Sequence, residues 1–157
     1  MTLPRALSTF RAVSEIAFIA LGSNLGDRRG YLERARAEID AIPGCHVIGA
    51  TSIEETPPLG GLAQSPYLNQ MLAVETTLEP PTLLARLHGI EEAAGRSRSI
   101  RWASRTLDLD IVLFDDRVVN DTDLVIPHPG LADRPFWQRE VEELRRALGN
   151  PMARANE

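Results

Sequence analysis

Apolar positions along the chain fall into short unbroken runs and helical stripes, separated by Gly- and Pro-rich punctuation. Residues 16–21, Ile-Ala-Phe-Ile-Ala-Leu, have the length and continuity of a buried strand. Residues 22–26, Gly-Ser-Asn-Leu-Gly, read as a strand-to-helix turn. Asp27 follows as an N-cap, and Leu32, Ala35, Ile39 and Ile42 recur at helical spacing until Pro43-Gly44 stops the helix. Residues 45–53 predict a second strand, and residues 70–78, entered through Tyr67-Leu68-Asn69, predict a third. Between them, residues 55–61 make a stiff loop in which prolines fix φ and glycines permit tight turning. Pro80-Pro81 open a second helix with Leu83, Leu84, Leu87 and Ile90 on its apolar face, and Gly95 ends it. Residues 107–114 predict a fourth strand, Asp115-Asp116 a hairpin turn into residues 117–119, and residues 124–129 a short extended piece. A last helix is expected over 138–148. Residues 1–14 have no consistent period and are expected to form a flexible N-terminal tail, leaving 15–157 as one domain. Strand, helix, strand, strand, helix, strand predicts an α+β, ferredoxin-like βαββαβ fold. In it, helices pack on one face of an antiparallel sheet and the active-site loops gather at one edge.

Chemistry concentrates in residues 95–114, Gly-Arg-Ser-Arg-Ser-Ile-Arg-Trp-Ala-Ser-Arg-Thr-Leu-Asp-Leu-Asp-Ile-Val-Leu-Phe. Arg96, Arg98, Arg101 and Arg105 make a dense cationic patch, and Asp108 and Asp110 follow inside an apolar run. Alternate residues of a strand share a face, so both carboxylates point the same way, about 6.5–7 Å apart along the chain. Leu107, Leu109 and Ile111 then face the opposite side, toward a core. Hard cations such as Mg²⁺ take carboxylate oxygens and complete their shell with substrate phosphates, and two ions at about 3.5–4 Å match such a pair. The arginines offer planar, bidentate counter-charge for a polyphosphate. The plainer alternative is a structural charge cluster.

Composition narrows the field. A chain of 157 residues suits one domain with a proper core. No apolar run reaches the length of a membrane span, and the N-terminal stretch is too polar and broken for a signal peptide. The single Cys45 excludes an internal disulfide framework and a Cys-cluster metal site, and suits a reducing cytoplasm. A net charge of -5 argues against nucleic acid as the main partner. All 17 basic residues are Arg, which removes Schiff-base chemistry and the Walker A lysine. Any ATP is therefore handled without a P-loop.

The motifs of residues 16–136 resemble the 6-hydroxymethyl-7,8-dihydropterin pyrophosphokinase family, which moves pyrophosphate from ATP to a pterin alcohol in the folate pathway. They are Leu-Gly-Ser-Asn-Leu at 21–25, Thr-Pro-Pro-Leu-Gly at 56–60, Tyr-Leu-Asn at 67–69 and Ile-Glu at 90–91. Gly-Arg-Ser-Arg at 95–98, Arg-Trp-Ala-Ser-Arg-Thr-Leu-Asp-Leu-Asp-Ile at 101–111, Pro-His-Pro at 127–129, Arg134 and Phe136 complete the set, in family order. The resemblance implies that Asp108 and Asp110 hold two Mg²⁺ between ATP and the pterin hydroxyl, and that Arg96 and Arg105 are catalytic, stabilising the moving charge. It implies that Arg98, Arg134 and His128 grip the polyphosphate, and that Glu91, Trp102 and the backbone at Ile111 contact the nucleotide. Tyr67 and Phe136 would sandwich the pterin ring, while Thr56, Asn69 and the backbone at Pro58 and Leu59 read its edge. A monomer working on these small molecules, without nucleic acid or membrane, is the expected state.

Taken one at a time, these residues have plainer roles: Tyr67 and Phe136 as core aromatics, Asn69 as a turn cap, His128 as a loop residue, Glu91 as a solvated helix position. The chain also departs from the family pattern. Ala103-Ser104 replaces a common Gly-Pro, His88 stands where Gln is frequent, and the stretch between Arg98 and Trp102 is short, so that Arg98 and Arg101 can exchange roles. After Phe136 the charged run Trp137-Gln138-Arg139-Glu140-Val141-Glu142-Glu143 replaces an apolar stretch. Two other readings stand beside this one. A Mg²⁺-dependent nucleotidyltransferase also uses a paired-Asp strand, but places its Gly-Ser loop close before the pair, whereas Gly22-Ser23 lies far upstream. A non-catalytic ferredoxin-like binding domain would pair both Asp with Arg101 and Arg105, leaving no space for metal.

Overall fold

The computed structural model of the chain describes residues 13–57, 65–95 and 106–149. Among the described residues seven strands and three α-helices follow in order: β1 (Glu15–Ser23), α1 (Arg28–Asp40), β2 (Cys45–Ala50), β3 (Glu54–Thr56), β4 (Tyr67–Thr76), α2 (Pro80–Ala93), β5 (Asp108–Phe114), β6 (Val119–Asn120), β7 (Val125–Ile126) and α3 (Pro135–Leu148). Of the expected tail, residues 1–12 lie outside the described residues; Val13 is exposed, and Ser14 reaches the Glu75 carboxylate at 3.5 Å.

The main sheet has the order β2-β4-β1-β5, all antiparallel, with β3 pairing the far end of β4. Counting β1, β2, β4 and β5 as the four strands of the βαββαβ unit gives the ferredoxin-like order, as expected from the sequence. β1 is central, hydrogen-bonded on both edges and covered on both faces, which is why its sequence is a continuous apolar run rather than an alternating one.

Two cores form, one on each face. Ala17, Ile19, Leu21, Leu72, Val74, Leu109 and Ile111 pack against Leu32, Ala35 and Ile39 of α1 and Leu83 and Leu87 of α2. Phe18, Ala20, Met71, Ala73 and Val112 pack against Trp137, Val141 and Leu144 of α3. The expected one-sided arrangement holds for α1 and α2; α3 lies on the opposite face, because its Trp137, Val141 and Leu144 form a second apolar stripe needing its own partner.

Local signals account for most boundaries. The Asp27 carboxylate accepts the Gly30 N–H at 3.1 Å, capping α1, and Pro80-Pro81 occupy the first positions of α2. Several boundaries differ from the sequence reading, among them that of β4, which spans Tyr67–Thr76 and not 70–78. β1 continues through Gly22 and Ser23, which pair with Asn69 and Leu68. The expected strand over 45–53 ends at Ala50, after a bulge between Val47 and Gly49, and a further short strand over Glu54–Thr56 takes the start of what reads as a stiff loop. At the break Thr51 bonds Met71 through its N–H, its carbonyl accepts from Gln70, and its hydroxyl accepts from the Met71 N–H. The turn at Asp115-Asp116 exists, but β6 pairs with β7 in a small separate sheet rather than returning along β5. α3 starts at Pro135, three positions earlier than read, since Pro suits the first helical turn.

Arg117 ties this side of the molecule together. Its guanidinium donates to both oxygens of Glu15 at 2.9 and 2.6 Å and to both oxygens of Glu79 at 3.0 and 3.1 Å. The start of β1, the start of α2 and the turn after β5 thus share one cation. No helix among the described residues is long and apolar enough to cross a membrane.

Candidate active site

α3 covers only half of its face of the sheet. The uncovered half is a cleft of about 630 Å³, floored by β1, β4 and β5 and walled by β3, the Pro127–Arg134 segment and the start of α3. All ten of the sequence-predicted site residues that fall within the described residues line it: Thr56, Tyr67, Asn69, Glu91, Asp108, Asp110, Ile111, His128, Arg134 and Phe136. Pro58, Leu59, Arg96, Arg98, Trp102 and Arg105 lie outside the described residues.

The acidic pair stands at one end of the floor. Asp108 and Asp110 share the cleft face of β5, and Leu109 and Ile111 point into the opposite core, as the alternation predicts. The Asp110 side chain is 44% exposed, and His128 Nε2 stands at 3.7 Å from its Oδ1, outside hydrogen-bond range. Among the described residues no group of three or more His, Cys, Asp or Glu could hold a metal by itself. Two carboxylates on one strand face, that of Asp110 reaching solvent, fit a hard cation that draws its remaining oxygens from phosphates.

A bulge aims His128 at this end. Between Phe18 and Ile19 the β1–β5 register shifts, leaving Val112 as the extra residue, and the Val112 carbonyl accepts the His128 N–H at 2.9 Å. His128 Nδ1 accepts the Gly130 N–H at 2.9 Å, so the proton of the neutral ring is on Nε2, the atom facing Asp110. The imidazole edge meets Trp137 at 5.1 Å between centroids, and the Arg134 guanidinium lies over the same indole at 4.5 Å. Gly130 leaves room for that guanidinium: a Cβ there would run into Arg134. Both donors are thus held in place before any ligand arrives.

At the other end the Asn69 amide donates to the Thr56 hydroxyl at 2.5 Å, with Tyr67 one turn of the pleat away and Phe136 across the cleft on α3. Asn69 is therefore no turn cap. Phe136 is half-buried at the cleft wall, edge-on to Trp137 at 6.3 Å. Glu91, only 3% exposed, is no solvated helix position either: its Oε2 accepts the Leu109 N–H at 2.8 Å, on the outer edge of β5. Gly22 joins the two ends of the floor, since it pairs with Asn69 on one side and Asp108 on the other.

The family model of 7,8-dihydro-6-hydroxymethylpterin-pyrophosphokinase matches residues 18–146. The chain belongs to this pyrophosphokinase family. It is 41% identical over 132 residues to the 2-amino-4-hydroxy-6-hydroxymethyldihydropteridine pyrophosphokinase of Bacillus subtilis, covering 84% of this chain and 79% of that protein. It is 39% identical over 120 residues to the enzyme of the same name from Haemophilus influenzae, covering 76% and 75% of the two chains. The corresponding protein of Methylorubrum extorquens is 38% identical over 120 residues, 76% of each chain.

Besides the ten, this pyrophosphokinase cleft is lined by residues the sequence does not mark as site residues, Gly22, Trp137 and Asp123 among them. Gly22 was read as a turn, because a glycine after an apolar run looks like a stop; its place inside a paired strand is a tertiary fact. Trp137 lines the cleft and anchors both His128 and Arg134, a role the charged run around it hides. Asp123 adds a carboxylate from the β6–β7 loop, and no local pattern marks it.

Proposed function

We propose that this cleft holds ATP and 6-hydroxymethyl-7,8-dihydropterin together, and that the pterin hydroxyl oxygen attacks the β-phosphorus of ATP. The bond from that phosphorus to the oxygen bridging the α-phosphate breaks. AMP leaves, the hydroxyl proton is released to solvent, and the pterin carries both terminal phosphates as its diphosphate ester, a step of folate biosynthesis. The observation that carries the reading is the single floor on which Gly22 separates Asn69 from Asp108, so that an acceptor site and a phosphate site are immediate neighbours.

In this reading Asp108 and Asp110 hold two Mg²⁺, which when bound supply Lewis-acid polarisation of the phosphate oxygens. His128 donates its Nε2 proton to a phosphate oxygen, and Arg134, already seated on Trp137, presents its planar fork to another. Arg98 grips the same polyphosphate. Arg96 and Arg105 stabilise the charge that passes through the transferring group, which in such reactions is mainly positioning and electrostatics. Trp102 and the Ile111 backbone take the adenosine, with Glu91 beside them bracing the edge of β5. Tyr67 and Phe136 close on the two faces of the pterin, and Thr56 and Asn69, with the backbone at Pro58 and Leu59, read its donor–acceptor edge. The protein works as a monomer in this reading.

Labelled ATP tests the reaction. With the pterin alcohol and Mg²⁺, the γ label must end on the pterin and the α label on free AMP. A simple kinase would give ADP. An α label on the acceptor would identify a nucleotidyltransferase and overturn the proposal.

A further inference from the structure

α3 buries a carboxyl group for which the reaction above has no use. Glu140 is 1% exposed, on the same helical face as Trp137 and Leu144, which are packed against the sheet. With both carboxylates ionised, neither oxygen of Glu140 has a hydrogen-bond partner, yet the Glu54 carboxylate of β3 lies within bonding reach. The two statements agree once a proton is placed between them: two carboxylates are both acceptors, whereas an acid and a carboxylate make a short, charge-assisted bond. On its outer side Glu54 is held by Arg139 Nη2, at 2.8 and 3.0 Å from its two oxygens. The remaining ionisable neighbour is Glu143, on α3 itself. β1, β2 and β4 present Ile16, Phe18, Ala20, Ile48, Met71 and Ala73 to the cluster that α3 completes.

We propose that Glu140 is a positioning residue for the acceptor pocket, a protonated acid on α3 that hydrogen-bonds Glu54 and thereby ties the helix carrying Phe136 to the strand carrying Thr56. The proposal rests on the assignment of that end of the cleft to the pterin. Thr56 is two residues from Glu54 on the same strand face, and Phe136 is one helical turn before Glu140. The link therefore spans the two walls between which the acceptor must fit.

Burial, then the bond to Glu54 and its charge, push the Glu140 carboxyl up to about 8, against a reference of 4.5. The folded-state value lies above the unfolded one. The stabilisation is therefore complete below about pH 4.5 and lost as the pH rises through about 8. Above that range a buried, ionised Glu140 faces the partly exposed Glu54 carboxylate, whose own counter-charge is the exposed Arg139.

The test compares wild type with Glu140→Gln, which keeps an N–H donor but no titrating proton, and with Glu140→Met, which keeps only the volume. KM for the pterin alcohol and for ATP is measured from pH 6.5 to 9.5. In the wild type, KM for the pterin should rise several-fold between pH 7 and 9 relative to Glu140→Gln, while KM for ATP follows one profile in both. Glu140→Met should show a raised pterin KM at every pH, and the Gln variant should restore it. Coincident pterin profiles for wild type and Glu140→Gln overturn the proposal, as does a variant that raises KM for both substrates alike. Unfolding midpoints from pH 5 to 9, without substrates, test the link itself: the wild type must fall progressively below Glu140→Gln. Midpoints that move in parallel overturn the link even where turnover is normal. Diverging midpoints without turnover of the pterin alcohol sustain the link and reject the substrate assignment beneath it.

Discussion

The Glu91 carboxylate of α2 accepts the Leu109 N–H of β5 at 2.8 Å, and Leu109 sits between the two aspartates of the cleft. Among the described residues β5 is an edge strand, so this N–H points away from the sheet and meets no described strand. A helix carboxylate thus finishes the strand and fixes the stretch that carries the acidic pair. Glu91→Ala would leave a buried donor unpaired, which costs about 1–3 kcal/mol. Glu91→Gln keeps an acceptor oxygen and should recover most of that loss. Denaturant unfolding of the two variants checks it, and an Ala variant as stable as the wild type would show that the bond does not hold the strand.

Asp108→Ala and Asp110→Ala should each abolish turnover with little change in the fold. Both side chains face the cleft while their neighbours Leu109 and Ile111 carry the packing. Activity titrated with Mg²⁺, beside circular dichroism of the same samples, gives the answer. Wild-type rates in either variant would remove the metal site from the mechanism.

Arg96→Ala and Arg105→Ala should slow the chemical step more than they weaken ATP binding, because their contacts are proposed to tighten as charge moves. Loss of one preorganised donor typically costs about 2.7–4 kcal/mol, or roughly 10²–10³ in rate. Single-turnover rates separate the two effects. Unchanged rates with weaker ATP affinity would assign both arginines to ground-state binding.

Gly22→Ala probes the floor. A Cβ there would meet Asn69 Oδ1 and the Tyr67 ring at 3.5 Å, ordinary contact distance, so the fold accepts it. Removing a glycine from a strand stabilises by about 0.4–1 kcal/mol through the unfolded chain. The new methyl would nonetheless occupy the space beneath the acceptor. The expected outcome is a higher unfolding midpoint together with a raised KM for the pterin; an unchanged KM would place the acceptor elsewhere.

Much of this was legible in the chain. Helix starts at Asp27 and Pro80 and the in-and-out alternation of β5 depend on neighbours in sequence, and they are where the pattern puts them. The candidate site was legible because its residues come in short, ordered motifs, and those that are described share one cleft. What escaped depends on partners distant in sequence. Gly22 stays in β1 because strands lie on both sides of it. Val119 pairs with Ile126 and not with β5, a choice that no turn residue announces. Glu140 looks like one more charge in a charged run; only the packing of α3 on the second face of the sheet makes it a buried acid.

The place of Gly22 in the middle strand also makes the sheet a ruler. Asn69 and Asp108 lie level on the strands either side of it, so their separation is two interstrand spacings, about 9–10 Å. Backbone hydrogen bonds set that length, and it cannot stretch without breaking the ladder on one side of β1. With Asn69 on the pterin and Asp108 serving the phosphates, as proposed, an alcohol would be selected by the reach of its arm as well as by the shape of its ring. An acceptor with the right ring and one extra methylene would carry its oxygen past the phosphorus it must attack.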